Sequence, residues 1–592
     1  MVTDPVPTDP DALLAALDPE QRRAVEAVRG PVRILAGAGT GKTRTLAHRI
    51  AYGVSTGAYD PTQVLALTFT TRAAEELRGR LTGLGANGVQ VRTFHAAALA
   101  QLGHFWPRVA GGPAPQLVAI KGPLLGQAAE ALRIRVDAHT LRDVAAEIEW
   151  RKVSGLSLAQ YALRERPLPP GMALDRMLAL HERYERLKDE RRRIDFEDVL
   201  LACAGMLADE DAIADEVRAQ YRVFLVDEYQ DVSPIQQTLL ELWLGQRSDL
   251  CVVGDASQTI YSFAGATNRY LLDFEQRWPR AELVQLERNH RSAAPILDVA
   301  NQLMRGRPGA LELLPAAPTE PPAGGGAARA HRGPRATTVV SGPVEFESDR
   351  LEAAGVADAV AAEIAAGIRP ESIAILYRIN AQAAIYAAAL ADRGISAREL
   401  GGTPFFEHDA VRRAVLEIGS FARQPGADRA PLFQAVSDAV RSAGWTAEAP
   451  SAGGAVRERW ELLSALVDLA DAAEAGTTLP QFAAELARRA QAAHEPPVAA
   501  VVLSTLHGAK GLEWDAVHLV GVAEGLLPVA HAKDDADVEE ERRLLYVGVT
   551  RARRRLELSW ARQGAQGRRR EPSRFLVPGS TGTRGGGRLG SR

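Results

Sequence analysis

The chain carries the run Ala36-Gly37-Ala38-Gly39-Thr40-Gly41-Lys42-Thr43 directly after an apolar stretch, residues 32–35. Residues that favour helix follow the run. A strand, a glycine-rich turn and a helix N-terminus together form a cradle for phosphate, because backbone N–H groups and the helix dipole point at the anion. Lys42 adds a point charge, and the hydroxyl of Thr43 is placed to hold Mg2+. The run therefore predicts a domain that binds a nucleoside triphosphate.

Lysine is rare in this chain, which makes the lysine of the glycine-rich run informative. A compact ammonium group suits a phosphate in a tight loop better than a planar guanidinium does. The alternative, an ordinary glycine-rich turn, is disfavoured by the preceding strand and by the Lys-Thr pair at the end of the run. All other strong cations are arginines, apart from Lys121, Lys152, Lys188, Lys510 and Lys533.

The bulk composition is that of a soluble globular protein. A length of 592 residues predicts several domains, and the shares of 46% hydrophobic and 24% charged residues are ordinary. The net charge of -4 provides no global basic field, although a local groove is enough to bind nucleic acid. Cys203 and Cys251 lie in apolar runs and are expected to be buried thiols. Neither a signal peptide nor a membrane span is recognisable, so we expect a cytoplasmic protein without a membrane partner.

The alternation of strand-like and helical segments predicts an α/β fold with two cores, each interrupted by a mainly helical insertion. A Pro/Gly/Arg-rich stretch is expected to be a flexible linker, and a basic tail to be disordered. Non-specific electrostatic contact with nucleic acid is the alternative for the tail. The predicted divisions are 1–95 (first core, N-terminal part), 96–205 (its insertion), 206–300 (remainder of the first core), 301–340 (linker), 341–407 (second core, N-terminal part), 408–498 (its short insertion), 499–562 (remainder of the second core) and 563–592 (tail).

Paired acids follow a second apolar strand, in the run Asp227-Glu228-Tyr229-Gln230-Asp231. Such a pair can hold Mg2+ opposite a phosphate loop, with Asp227 binding the metal directly or through water. Glu228 is then placed to orient and deprotonate the attacking water. Alone, an Asp-Glu pair after a strand is usually a solvated strand end. A phosphate loop in the same chain favours the catalytic interpretation.

These acids and further motifs, in the same order along the chain, resemble superfamily 1 DNA helicases of the UvrD/PcrA/Rep type. The resemblance covers about residues 15–562. It implies two RecA-like P-loop NTPase cores with parallel sheets, ATP and Mg2+ as cofactors, and 3′ to 5′ movement on single-stranded DNA with unwinding of duplex. The other matching segments are 17–21, 253–263, 286–292, 375–382, 401–406, 505–514 and 539–552.

The resemblance assigns residues to the nucleotide site. Its catalytic residues are Lys42, Glu228, Gln258, Arg291 and Arg551, with Arg551 supplied by the second core. An arginine finger contributes about 10^3- to 10^5-fold in rate. The metal-binding residues are Thr43 and Asp227. The nucleotide-binding residues are Gln21, Ala36, Gly37, Ala38, Gly39, Thr40, Gly41, Lys42, Thr43, Arg44, His290, Arg291, Glu513 and Arg551.

A second set of residues is expected to contact single-stranded and partly duplex DNA. Aromatic faces stack on bases without regard to sequence, and hydroxyl groups bind phosphates. For Phe94 the sequence leaves core packing and DNA contact open. The expected DNA-binding residues are Phe69, Thr93, His95, Tyr261, Phe263, Arg378, Asn380, Thr505 and His507.

Three departures from the family leave the details of the activity open. His290 stands where many relatives have a tyrosine, Ala264 replaces a common arginine, and the 408–498 insertion is short. The main expectation is a helicase of DNA repair or replication. The nearest alternative is a DNA-stimulated translocase that displaces proteins and unwinds weakly. An interaction protein without motor activity that uses ATP as a switch is a further alternative, which the intact Glu228, Arg291 and Arg551 disfavour. A metabolic kinase is disfavoured because nothing in the sequence resembles a pocket for a small substrate.

Overall fold

A computed structural model of the chain describes residues 9–164, 166–169, 171–316, 339–401, 405–448, 455–474, 476–491, 498–564 and 567–576. The chain divides into two compact units. The first runs to His290 and includes Arg305–Leu314, whereas the second contains Arg291–Met304 and continues from Pro315. The first core therefore ends earlier than the predicted residue 300. The reason is local, because the hydroxyl of Ser292 donates to the carbonyl of Ala552 at 2.6 Å, in the second unit.

The first unit is built on a parallel sheet of six strands, which confirms the predicted α/β class. Its central strands are buried along their whole length, as expected for a sheet covered on both faces. The strands of this unit are β1 (Val32–Ala36), β2 (Val64–Thr68), β3 (Gln90–Thr93), β4 (Gln116–Leu117), β5 (Arg193–Ile194), β6 (Val223–Val226), β7 (Leu250–Gly254), β8 (Glu282–Leu286) and β9 (Arg288–Asn289). The order in the sheet is β3-β2-β6-β7-β1-β8.

Helices cover this sheet and also form a separate cluster. The helices of the unit are α1 (Pro10–Ala15), α2 (Pro19–Glu26), α3 (Lys42–Ser55), α4 (Thr71–Gly83), α5 (Phe94–Ala110), α6 (Gly122–Ala131), α7 (Ala138–Val153), α8 (Leu158–Ala162), α9 (Leu174–Glu190), α10 (Phe196–Asp209), α11 (Asp211–Gln220), α12 (Pro234–Leu244), α13 (Arg269–Leu272) and α14 (Phe274–Arg277). Helices α5 and α10 pack into the core beside the sheet, whereas α6 to α9 share a core of their own. Within the predicted 96–205 insertion, the part that packs separately from the sheet is therefore shorter than predicted and comprises only α6 to α9.

The second unit repeats the six-stranded parallel architecture with a different strand order. Its strands are β10 (Leu314–Pro315, at the unit boundary), β11 (Val339–Ser348), β12 (Ile373–Tyr377), β13 (Ala397–Glu399), β14 (Val501–Thr505), β15 (Trp514–Leu519) and β16 (Ala552–Gln563). The order in the sheet is β11-β16-β15-β12-β14-β13. Two such sheets are consistent with the two predicted RecA-like cores.

The helices of the second unit also fall into two groups. Helices α18 to α21 share one apolar core, and they lie within the predicted 408–498 insertion. The other four helices, α15, α16, α17 and α22, pack beside the sheet. The bounds are α15 (Ala294–Met304), α16 (Asp349–Ala365), α17 (Ala383–Ala391), α18 (Asp409–Ala422), α19 (Leu432–Ser442), α20 (Ala455–Asp471), α21 (Leu479–Gln491) and α22 (Asp535–Val549).

Part of the predicted disordered tail is packed. Phe575 is buried in the second unit, and Arg574 forms a bidentate ion pair with Glu524, with the closer contact at 2.7 Å. The prediction of disorder is thus wrong for residues 567–576, because an aromatic anchor lies beyond the Arg/Gly run. The remainder of the tail, 577–592, and the Pro/Gly-rich middle of the predicted linker, 317–338, lie outside the described residues. Among the described helices, none combines the length and apolar character that crossing a membrane requires.

Candidate active site

The glycine-rich run forms the turn between β1 and α3. Gly41 caps α3 in the left-handed conformation, with φ of +83°. This conformation favours glycine, and a Cβ atom at Gly41 would also lie 2.9 Å from Nε2 of Gln21. The hydroxyl of Thr40 donates to the carbonyl of Gly37 at 2.9 Å and closes the loop. Lys42 begins the helix, so the loop has the strand–turn–helix form of a phosphate cradle.

Residues from two other segments surround this loop. Gln21 is buried and donates from Nε2 to the carbonyl of Thr40 at 2.9 Å. His290 donates its backbone N–H to the carbonyl of Gly39 at 2.9 Å, and its Nε2 lies 2.6 Å from the carboxylate of Asp18. The structure thus brings Gln21 and His290 to the phosphate loop, as predicted for nucleotide-binding residues. Their contact with adenine remains a prediction.

Arg44 lies in the first turn of α3. Its Nη2 donates to the carbonyl of Ala16 at 2.7 Å. This contact ties the start of α3 to the chain segment that precedes Gln21. The predicted role of Arg44 beside the nucleotide is therefore compatible with its position and remains a prediction.

The paired acids follow β6, and β6 lies two strands from β1 in the sheet. The hydroxyl of Thr43 lies 3.4 Å from Oδ2 of Asp227, and Asp227 Oδ1 accepts the backbone N–H of Glu228 at 2.9 Å. Burial raises the pKa of Asp227, and the adjacent charge of Glu228 raises it further, while Lys42 acts in the opposite direction. A bound cation would relieve both unfavourable effects. A hydroxyl and a carboxylate are the hard oxygen donors that suit Mg2+, so the residues present fit this metal.

The third loop of the site follows β7. The amide of Gln258 donates to Oδ2 of Asp255 at 2.6 Å, and both residues are buried. Burial also raises the pKa of Asp255. In the structure Gln258 is therefore held by Asp255, a residue to which the sequence assigned no role.

An exposed aromatic row lies at the same edge of the sheet. Phe69, directly after β2, stacks on Tyr261 with ring centroids 6.3 Å apart and an interplanar angle of 8°. Tyr261 meets Phe263 edge to face at 6.1 Å. Phe69 is 36% exposed and Phe263 is 62% exposed, so both rings leave apolar surface accessible. Phe94, in contrast, is buried against Trp243 and belongs to the core.

Two further residues predicted to bind DNA lie at the end of β3. Thr93 caps α5 by accepting the backbone N–H of Ala96 at 3.2 Å. His95 contacts the ring of Phe196 edge to face at 6.1 Å, and burial lowers the pKa of His95. His95 is therefore expected to be neutral at pH 7 and to act by stacking or hydrogen bonding.

In the second unit, an arginine cluster lies at the amino ends of β15 and β16. Glu513 pairs with Nε of Arg291 and accepts from Nη2 of Arg553 at 2.5 Å. Burial alone would raise the pKa of Glu513, but the two guanidinium groups hold it below its usual value. Arg551 is buried and donates to the carbonyls of Val547 at 2.8 Å and Leu512 at 3.2 Å. The structure thus pairs Arg291 with Glu513 and holds Arg551 against the carbonyl of Leu512, the residue before Glu513. Their roles at a nucleotide remain a prediction.

The remaining predicted DNA-binding residues follow the carboxyl ends of β12 and β14. Arg378 makes a bidentate pair with the buried carboxylate of Glu541, with contacts of 2.8 to 3.0 Å. Asn380 is exposed, and the hydroxyl of Thr505 accepts the backbone N–H of Gly508 at 3.2 Å.

His507 lies in the same group. Burial, followed by the charges of Arg378 and Lys510, lowers the pKa of His507 to about 4. These four residues share one edge of the sheet. The geometry gives Arg378 a structural partner that the sequence did not indicate.

Several residues that organise the site were missed from the sequence. Gln230 contacts both Glu228 and Asp255, and the side chain of Asn289 donates to the carbonyl of Ala38 at 2.6 Å. Glu541 and Arg553 are ion-pair partners of predicted site residues. Amides carry no charge pattern, and these ion-pair partners lie 40 or more residues away in sequence, so local pattern offered no signal.

Comparison with protein families accounts for this arrangement. Residues 17–279 match the UvrD/REP helicase N-terminal domain, and residues 284–447 and 431–563 match the UvrD-like helicase C-terminal domain. The chain belongs to the UvrD-like helicase family. The predicted resemblance and the predicted helicase activity are thereby confirmed.

Individual relatives span most of the chain. It is 44% identical to the ATP-dependent DNA helicase UvrD2 of Mycobacterium tuberculosis, over 96% of this chain and 82% of that protein. It is 27% identical to the ATP-dependent DNA helicase PcrA of Bacillus subtilis, over 93% of this chain and 83% of that protein. It is 28% identical to the ATP-dependent DNA helicase Rep of Salmonella typhimurium, over 95% of this chain and 93% of that protein.

Proposed function

We propose that the protein is an ATP- and Mg2+-dependent DNA helicase that moves 3′ to 5′ along single-stranded DNA and unwinds duplex during DNA repair or replication. One observation carries the proposal. The phosphate loop, the paired acids and the exposed aromatic row all follow the carboxyl ends of strands in one parallel sheet. Nucleotide chemistry and DNA contact are thus supported by the same sheet edge. The direction of movement rests on the family resemblance.

The residues of the first unit have distinct tasks in ATP hydrolysis. Lys42 and the loop N–H groups bind the phosphates, and Thr43 with Asp227 hold Mg2+. The metal, when bound, neutralises charge that develops on the phosphate oxygens. Glu228 orients the attacking water and accepts its proton, and Gln258 senses the γ-phosphate.

The remaining nucleotide contacts are assigned as follows. Gln21, Arg44 and His290 bind the base side of the nucleotide, and Glu513 binds the ribose. Arg291 and Arg551 supply positive charge to the transition state. Both arginines are already oriented by hydrogen bonds to carbonyl groups, which reduces the reorganisation that catalysis would require.

The DNA contacts use stacking more than charge. The rings of Phe69, Tyr261 and Phe263 present a ladder for successive bases, and each stacked base contributes about 1–3 kcal/mol. Thr93, His95, Arg378, Asn380, Thr505 and His507 complete the proposed DNA-binding set. Stacking is tolerant of sequence, as a translocating enzyme requires.

The decisive experiment measures ATP hydrolysis with and without single-stranded DNA, beside unwinding of 3′-tailed and 5′-tailed duplexes. We expect hydrolysis to be stimulated by single strands and unwinding to start from 3′ tails. Unwinding confined to 5′ tails would refute the polarity. Hydrolysis that ignores DNA would refute the motor and favour an ATP-driven switch.

A second candidate, a DNA-stimulated translocase with weak unwinding, is favoured by the charge of the second insertion. Residues 408–498 contain nine arginines, no lysine and twelve acidic residues. An acidic element is poorly suited to grip duplex phosphates. Ala264, in place of an arginine, points the same way. Stimulated hydrolysis with protein displacement, but without separation of tailed duplexes, would select this candidate.

A further inference from the structure

One buried amide joins two loops of the candidate active site. Gln230 is fully buried, and its Nε2 donates to Oε2 of Glu228 at 2.5 Å. Its Oε1 accepts the backbone N–H of Asp255 at 3.0 Å. A Cβ atom at Gly254 would lie only 2.7 Å from this oxygen, so a glycine permits the approach. The side chain therefore links the loop after β6 to the loop after β7.

The chemistry of both neighbours calls for an amide at this position. The carboxylate of Glu228 only accepts hydrogen bonds, whereas the backbone N–H of Asp255 only donates. Glutamine offers a donor and an acceptor on one neutral group. Glu228 itself has a left-handed backbone with φ of +51°, which is unfavourable for a residue with a side chain. A strained backbone makes the side-chain tether more important for the direction of the carboxylate.

The link continues from Asp255 to the aromatic row. Asp255 accepts the side-chain amide of Gln258 at 2.6 Å and the backbone N–H of Ser257 at 3.0 Å. The same segment then leads within a few residues to Tyr261 and Phe263. A shift of this segment is therefore expected to move the N–H of Asp255 and, through the amide, the carboxylate of Glu228.

We propose that Gln230 is a positioning residue that aims the Glu228 carboxylate and makes its direction depend on the segment that carries Tyr261 and Phe263. The inference rests on the proposed function. When DNA binds the aromatic row, it fixes the position of the segment that carries Tyr261 and Phe263. The position of this segment fixes the amide of Gln230, and the amide fixes the direction of the Glu228 carboxylate, which orients the attacking water. Gln230 thus raises turnover when DNA is bound, without touching nucleotide or DNA.

Two substitutions test the hydrogen bonds of Gln230. Gln230→Glu keeps an oxygen for the N–H of Asp255 but loses the donor and places a second carboxylate beside Glu228. Gln230→Met removes both bonds at similar volume, together with the longer 3.3 Å contact from Nε2 to Oδ2 of Asp231. For both variants we expect DNA-stimulated kcat to fall by about 10- to 100-fold, as for a misplaced reacting group. The KM for ATP and the Kd for single-stranded DNA are expected to change by less than about threefold, since neither ligand is touched.

Gln236 provides a matched control. It is also buried near the same loop, but its Oε1 only accepts the backbone N–H of Ser233 at 2.9 Å. Gln236→Glu preserves that acceptor and is expected to retain normal kcat. The ratio of kcat with DNA to kcat without DNA is the discriminating value. A merely structural role of Gln230 would lower both rates together, whereas the proposed role lowers the ratio.

The outcomes separate the two levels of the proposal. A DNA-stimulated wild type with an equally stimulated Gln230→Glu variant would refute the role of Gln230 alone. Loss of melting temperature with an unchanged stimulation ratio, or an equal loss in Gln236→Glu, would also refute it. Wild-type hydrolysis that does not respond to single strands would instead refute the proposed function.

Discussion

The two sheets have the same number of strands and are both parallel, but they place the candidate functional residues differently. In the first unit the phosphate loop, the acids, Gln258 and the aromatic row all follow carboxyl ends of strands. In the second unit Arg378, Asn380, Thr505 and His507 lie at the carboxyl edge, whereas Glu513 and Arg551 precede β15 and β16 at the amino edge. One unit therefore concentrates its chemistry at a single edge, and the other divides it between two.

The difference follows from what each edge offers. At the carboxyl edge of the first sheet, α3 begins after the strand and presents free N–H groups to an anion. At the amino edge of the second sheet, α22 ends before β16, and its last carbonyl groups accept from a cation. The guanidinium of Arg551 donates to the carbonyl of Val547 in this last turn. The start of a helix thus favours an anion, and the end of a helix favours a cation.

The largest expected effect comes from Lys42→Ala. The substitution removes the only lysine of the phosphate loop, and with it both phosphate binding and charge in the transition state. We expect ATP hydrolysis to fall to background, measured as phosphate release in saturating single-stranded DNA. Lys533→Ala, at an exposed lysine, is the control and is expected to hydrolyse normally. Persistent DNA-stimulated hydrolysis in Lys42→Ala would mean that the first sheet edge is not the nucleotide site.

The next effect tests the amino edge of the second sheet. Arg551→Ala is expected to keep ATP binding but to lower kcat by about 10^3-fold, the value of an arginine finger. Nucleotide binding is measured by fluorescence and turnover by phosphate release, so that a loss of ATP binding is distinguished from a loss of catalysis. Arg562→Ala, at an exposed arginine on β16, is the control.

Because Arg551 is buried, its variants are first compared by thermal melting. Arg551→Lys retains the positive charge. Compared with Arg551→Ala, it is expected to recover part of the thermal stability but not the rate of ATP turnover. Unchanged turnover in a folded Arg551→Ala variant would confine the chemistry to the first unit.

The sequence predicted the carboxyl-edge site of the first unit well, for a physical reason. The phosphate loop and the Asp227-Glu228 pair each combine a buried strand with a local motif, and parallel strands bring their carboxyl ends to one edge. Burial confirmed Cys203 and Cys251 as core thiols. These inferences needed only neighbours in sequence and the direction of a strand.

The parts that sequence did not predict depend on distant neighbours. Arg378 was expected to contact DNA, yet its partner in the structure, Glu541, lies 163 residues away. The same holds for Gln230, whose partner Asp255 lies on another loop. The packed end of the chain at Phe575 was hidden by a composition that is otherwise typical of disorder. In each case the decisive contact is made by tertiary packing.

The aromatic row gives a smaller and separable effect. Phe263→Ala is expected to weaken binding of single-stranded DNA by about 5- to 150-fold, from the loss of one stacking interaction of about 1–3 kcal/mol. Fluorescence anisotropy with a labelled oligonucleotide measures the change, and hydrolysis without DNA should be unaffected. The matched control is Phe433→Ala, at a ring of similar exposure in the second helical insertion. Equal losses in both variants would show that the first sheet edge has no special role in binding DNA.

The smallest expected effect comes from a histidine in a strand of the second sheet, since the six strands of the first sheet contain no histidine. His518 lies in β15, buried, with Nε2 3.1 Å from Glu363 and Nδ1 3.9 Å from Glu557. Burial alone would lower the pKa of His518. The hydrogen bond to Glu363 and the two carboxylates outweigh burial and the opposing charge of Arg555, so the pKa is raised above 6.5.

A raised pKa fixes the sign of the pH dependence. The histidinium contributes stability that is fully present below pH 6.5 and is lost as pH rises through the pKa of the folded state. Urea unfolding between pH 5.5 and 9 should therefore show wild type losing stability relative to His518→Gln as pH rises. His531→Gln, at an exposed histidine, should follow wild type. If wild type and His518→Gln instead run parallel across this range, the second sheet gains nothing from its buried charge, and the two sheets differ only in where their functional residues lie.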